Sequence, residues 1–214
     1  MTLVKRFAMT GTLIVLMLFV AGCNNEEKRT VTIYQTLEKT ASIENGFAEK
    51  QQTSVDVGQE EQAMYNKIIS LKFEQKDEMN QLINEAKKLN KKQKKLIQEA
   101  KKRFNKAYQT FTQIKQVVKK MDDPSEKKKI TAIINLMEER KELVASYYEQ
   151  YAKALRSNDQ LYEKIQNNEL DASIVDKRIN SINQHYKTMK KQEKEFNRKT
   201  KKYNQERQHY YQTL

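Results

Sequence analysis

The sequence has very few of the residues that end helices or turn chains. Of 214 residues, four are Gly and one is Pro; the glycines all lie at or before Gly58, and the proline is Pro124. Sandwiches, barrels and alternating α/β sheets need turn residues about every 8–12 positions, which excludes them for residues 59–214. Tryptophan is absent and cysteine occurs once, so neither a disulfide framework nor a cysteine-built zinc site is available. The only histidines are His185 and His209, and neither has a carboxylate and a nucleophile at triad spacing. Glu206 and His209 form one Glu-x-x-His, whereas a di-iron bundle needs two such motifs and two further inward glutamates. No glycine-rich phosphate loop follows Gly58. The chain therefore reads as a non-enzyme, with no catalytic residue, resident metal, cofactor or small-molecule substrate.

Charge and helix-forming residues are plentiful. Lys and Arg number 41 against 28 Asp and Glu, for a formal net charge of +13, and charged residues make up 32% against 37% hydrophobic. With a mean hydropathy of -0.94, the chain is too polar for a thick globular core and too apolar for simple disorder. Long, thin helices satisfy both limits.

Residues 1–22 read as an export signal. Lys5 and Arg6 precede an uncharged run from Phe7 to Val20, which is too short for a bilayer core of about 30 Å but suits a signal-peptide apolar region. Val20-Ala21-Gly22-Cys23 resembles a bacterial lipobox, with Val20 where leucine is commoner. An ordinary signal peptide with a chance cysteine is the alternative. Lipidation would explain the unpaired thiol of Cys23, and the two acyl chains of a covalent diacylglyceryl group would anchor the mature chain stably to the plasma membrane. Residues 23–30 then form a lipidated tether.

From 31 to 214 the pattern predicts a single all-α domain. A weak first helix is expected at about 31–52, interrupted by Glu44 and Gly46. Thr53-Ser54-Val55-Asp56 reads as a turn, with Asp56 and Gln59 as a capping box. A long helix over 57–121 carries Leu82, Ala86, Leu89, Gln93, Leu96, Ala100, Phe104, Ala107, Phe111, Ile114, Val118 and Met121 as a heptad seam. Asp122-Asp123-Pro124-Ser125-Glu126 opens a helix over 124–167, with Asp123 as cap, Pro124 in the first helical position and Glu126 at the third. A break at 167–171 precedes the last helix, 172–213, whose polar second half predicts a looser core there. Short connections make neighbours antiparallel. Folding about the turns brings residue i of the long helix to about 245 minus i on the next, and residue j of that helix to about 339 minus j on the last. The expected architecture is an elongated antiparallel three-helix, coiled-coil-like bundle on a spine of roughly 98 Å. The first helix forms a hairpin extension, and the tether emerges near mid-rod.

Two basic runs stand out: Lys87, Lys88, Lys91, Lys92, Lys94, Lys95, Lys101, Lys102 and Arg103, then Lys187, Lys190, Lys191, Lys194, Arg198, Lys199, Lys201 and Lys202. The folding rule puts them at overlapping heights, on one basic side of a three-helix bundle. They are either a solvated helix face or a surface that concentrates polyanions. Outside a bacterial plasma membrane the available polyanions are lipid head groups and wall polymers such as teichoic acid, and location argues against nucleic acid. The eleven tyrosines include Tyr147, Tyr148, Tyr151 and Tyr186 near that height, either as core residues with their hydroxyls at the edge or as a platform for sugar rings.

The lipobox, the lysine-rich stretch from Glu85 to Arg103, the Asp122-Asp123-Pro124 turn and the Tyr147-Tyr148-Glu149-Gln150-Tyr151 run together resemble the YkyA-like cell-wall-binding lipoproteins of Gram-positive bacteria. The resemblance spans the whole chain and implies a membrane-anchored, extracytoplasmic helical protein associated with the wall, through peptidoglycan or teichoic acid. It brings no catalytic residues. A helical spacer that holds an envelope protein partner, through an incompletely covered 31–78 hairpin, is the competing expectation.

Overall fold

A computed structural model describes the backbone over residues 4–71, 75–167, 169 and 172–214, and the side chains over 25–71, 75–167, 169 and 176–214. Five helices follow one another: α1 Val4–Ser70, α2 Lys76–Phe111, α3 Gln113–Val118, α4 Pro124–Gln166 and α5 Ala172–Tyr211. No strand occurs among the described residues. The elongated antiparallel all-α bundle expected from the pattern is what forms.

Two of the expected boundaries stand. Asp123 caps α4, its side chain accepting from the Ser125 and Glu126 amides at 2.8 and 3.4 Å, with Pro124 in the first turn. This satisfies donors that the helix start leaves without partners. The α4–α5 break falls at 167–171. Between α2 and α3 the rod continues through Thr112, which keeps helical dihedrals and donates its amide to the Tyr108 carbonyl at 2.9 Å.

The first turn lies elsewhere than expected. The chain does not break at 53–56; α1 runs through to Ser70, and α2 starts at Lys76. The would-be capping residues serve the helix instead. Thr53 Oγ1 donates to the Glu49 carbonyl at 3.0 Å, Asp56 accepts from Gln52 Nε2 at 2.9 Å, and Ser54 Oγ meets Tyr151 Oη at 3.1 Å in the interior. Every seventh residue of α1, namely Ile33, Thr40, Phe47, Ser54, Glu61 and Ile68, is buried, so the seam crosses the supposed turn without a step. The single spine helix over 57–121 is accordingly replaced by α2 and α3, and α1 joins the bundle along its length. Breaking at 71–75 levels this turn with the one at 167–171, because Lys76 stands opposite the end of α4 by the 245 minus i rule. A spine continuing past that level would carry Ile68, buried here, beyond the reach of α4.

Contacts fix the register. Asn90 donates to the Leu155 carbonyl, Gln93 accepts from Tyr151 and Tyr108 donates to Glu138, all within a residue of the expected α2–α4 pairing. Arg140 with Thr200, Ser146 with Gln192 and Gln160 with Arg178 keep the α4–α5 pairing equally closely. Helix α1 packs antiparallel to α2, with Phe47 on Phe104 and Lys50 on Glu99, and meets α5 where Tyr34 and Tyr211 rings lie 4.9 Å apart. The four long rods therefore stand in the order α1, α2, α4, α5 around one axis. The α1 seam expected to stay uncovered is buried.

Three apolar clusters fill the axis: Ile33, Leu37, Phe111, Ile114, Ile130, Met137, Tyr203 and Tyr210 at one end; Phe47, Phe104, Val144, Tyr148, Tyr151 and Met189 in the middle; Ile68, Ile83, Leu161, Tyr162 and Ile165 at the other. The polar second half of α5 still buries Tyr203 and Tyr210.

Residues 25–30 lie at the rod's end, not at mid-rod. Glu26 accepts from the Asp122 amide at 3.1 Å, Arg29 pairs with Asp122 at 2.9 Å and Thr30 donates to Glu126 at 3.0 Å. Folding α1 in as a fourth helix moves the tether to this position. Residues 1–24, with the signal segment, the lipobox and the Cys23 thiol, lie outside the described side chains; among the described residues no helix is long and apolar enough to cross a membrane.

Candidate functional site

Both lysine runs fall in the middle stretch of the rod, and a cross-bundle contact between Phe104 and Phe196, centroids 6.1 Å apart, places them at one height. They do not share a side. Helix α2 borders α1 and α4, and α5 borders α4 and α1, so the runs occupy diagonal corners with a less basic helix between them on either flank. The single basic side expected from three helices becomes two basic edges.

Four of the seventeen basic residues have partners on the bundle. Lys94 pairs with Asp159, Lys199 with Glu139 and Arg198 with Glu195, while Lys87 donates to Gln166 at 2.9 Å. The other thirteen, Lys88, Lys91, Lys92, Lys95, Lys101, Lys102, Arg103, Lys187, Lys190, Lys191, Lys194, Lys201 and Lys202, are exposed and form no ion pair among the described residues. These ammonium and guanidinium groups are turned to solvent, and an incoming anion would not have to break an existing salt bridge to reach them.

The α2 edge borders a groove. Lys94, Ile97, Gln98 and Lys101 of α2 face Tyr148, Ala152 and Arg156 of α4 across a space of about 290 Å³. At its base lies Tyr148, 5% exposed, whose hydroxyl has no hydrogen-bond partner. Its ring packs on Tyr147 at 5.2 Å and Phe47 at 6.4 Å, and burial raises its hydroxyl well above the ordinary tyrosine range. It therefore stays a neutral, unpartnered hydroxyl beneath a groove lined by three cationic side chains. The tyrosine platform is thus core, with the Tyr148 hydroxyl itself buried beneath the groove.

Two polar centres escaped the sequence reading. Arg140 is 1% exposed and stands in the core. Its guanidinium is held by both Glu44 oxygens at 3.0 and 2.7 Å, donates to Thr200 at 3.0 Å, and lies 4.6 Å from the Tyr203 ring centroid and 5.2 Å from that of Phe196. The second is Glu61, 4% exposed, which accepts from Tyr162 at 2.5 Å and from Asn158 at 3.1 Å. The signal for Glu61 was its place in the seven-residue series from Ile33, visible once α1 is read unbroken.

His185 Nδ1 lies 2.9 Å from Gln150 Oε1, and His209 is exposed. No group of three potential metal ligands assembles among the described residues.

Residues 28–213 match a protein family described as "Putative cell-wall binding lipoprotein", YkyA. The chain is 26% identical over 181 residues to "Uncharacterized lipoprotein YkyA" of Bacillus subtilis (strain 168), a match covering 85% of this chain and 81% of that protein. Its fold is similar to that of a crystal structure titled as a conserved protein of unknown function from Staphylococcus aureus, at a TM-score of 0.65 and 16% identity, covering 86% of this chain and 93% of that one. The match over most of its length shows that the chain belongs to the YkyA family.

Proposed function

We propose that this YkyA-family chain is a lipid-anchored protein on the outer face of the plasma membrane that contacts anionic wall polymer through its lysine edges. The family description supports a wall-binding lipoprotein. The place of residues 25–30 at one end of the rod supports the geometry, since a diacylglyceryl group on Cys23 would stand the bundle on that end. At 1.5 Å per residue the 43 residues of α4 reach about 65 Å outward.

The observation that carries the reading is the set of thirteen exposed, unpaired cations at one height, with the Tyr148 groove opening onto the α2 edge. A polymer with regularly spaced phosphates could follow a row of ammonium groups by point-charge attraction, which salt screens over about 10 Å at 0.1 M. Diagonal edges would engage two strands rather than wrap one, so each edge contributes separately.

The test is co-pelleting of the purified chain, held in nonionic detergent, with cell walls that retain or lack teichoic acid, across a salt series. Binding should need the polymer and fade with salt. Reversing Lys91, Lys92, Lys95, Lys101 and Lys102 to Glu should remove the α2 contribution and leave that of α5. Salt-insensitive binding, or equal binding to stripped walls, would overturn the reading.

A further inference from the structure

Near the end of the rod away from the tether, α1, α4 and α5 line a partly open cavity of about 70 Å³, with Glu61, Tyr65, Asn158, Tyr162 and Tyr186 on its wall. A water needs about 10–15 Å³ of such space, so the cavity holds several waters or a small organic group. Its floor is a carboxylate. Glu61 is 4% exposed, and its partners are neutral donors: Tyr162 Oη at 2.5 Å and Asn158 Nδ2 at 3.1 Å. No cation pairs with it among the described residues, and the nearest charged neighbour on α4, Asp159, is of the same sign and already bonded to Lys94 and Asn90.

We propose that this cavity binds a primary ammonium group carried on a short apolar stem. A buried carboxylate without a counter-charge excludes anions and favours a cation, and the ring of Tyr162, with those of Tyr65 and Tyr186 around it, can add the attraction that aromatic faces exert on ammonium. Leu161, Ile179 and Ile182 suit an alkyl stem, while the amides of Gln62 and Asn183 stand among the polar lining. A divalent metal would need six or more oxygen ligands, and one carboxylate with two amides falls short. The site is opposite in sign to the lysine edges, so its ligand is a separate one, and the two readings fail independently.

The probe is n-propylammonium, with n-propanol as the uncharged control, titrated calorimetrically into the purified full chain in nonionic detergent. A ligand this small should bind saturably in about the millimolar range, and propanol should bind at least about tenfold more weakly. Glu61→Gln keeps shape and donors while removing charge, and should lose at least about tenfold in affinity. Ile182→Trp leaves the carboxylate intact but fills the space, and should abolish binding, which keeps the test informative if Glu61→Gln folds poorly. Absence of saturable binding, or propylammonium affinity unchanged in both variants, would overturn the proposal and leave Glu61 a structural carboxylate.

Discussion

Replacing Arg140 by Met would take the bidentate partner from the Glu44 carboxylate and the guanidinium from the Phe104, Phe196 and Tyr203 rings. Removing one member of a buried pair costs about 3 kcal/mol or more, because the stranded charge stays desolvated. The Arg140→Met chain should therefore lose about that much in urea unfolding, and Glu44→Leu added to it should restore most of the loss. Glu61 behaves differently because it has no opposite charge. Burial raises its carboxyl above the ordinary range, against hydrogen bonds from Tyr162, Gln93 and Asn158 that favour the ion. A raised native value means that folding takes up a proton, so this group's stabilising contribution is full below the unfolded value of about 4.3 and is lost as pH rises through the native one. Asp159 on α4 reinforces the trend, while the facing groups Gln93 on α2 and Tyr186 on α5 remain neutral. Melting temperatures of the parent should fall relative to Glu61→Gln as pH rises above about 4.5; parallel curves would show that the carboxyl does not titrate on folding.

Among the elements, α1 separates what the sequence made legible from what it did not. The seams of α4 and of the distal part of α2 were readable because Ile, Leu, Phe and Tyr occupy them, and the Asp123-Pro124 start was readable because each residue has its own local role. In α1 the same seven-residue series passes through Thr40, Ser54 and Glu61, where polar side chains hide the period. Thr53, Ser54 and Asp56 also carry the chemistry of a cap, and only contacts from α4 decide that they serve a continuous helix. The break between α1 and α2 has no glycine or proline to announce it, since its position follows from where α4 ends. Val55, 41% exposed, tests the point: Val55→Pro removes a helix hydrogen bond in an interior turn and should lower stability by about 3 kcal/mol, whereas in a loop it would be nearly silent. A thermal melt distinguishes the two.

At the scale of the whole molecule, placing α1 among the rods reorganised the candidate site. The heights of the basic runs were legible from the turns alone, but their sides were not, because a fourth helix turns neighbours into diagonals. The same arithmetic has a topographic consequence. Four rods are an even number, so the chain leaves the bundle where it entered: Tyr210 donates to Glu126 at 2.8 Å and Tyr211 to Glu38 at 2.7 Å, beside the tether. If Cys23 carries the proposed acyl anchor, a fluorophore placed after α5 should transfer energy efficiently to dye-bearing lipids, while one on Glu169 should not, being a rod's length away. Cargo fused behind α5 would be delivered back to the lipid surface, and only an insertion at one of the two far turns would be carried outward.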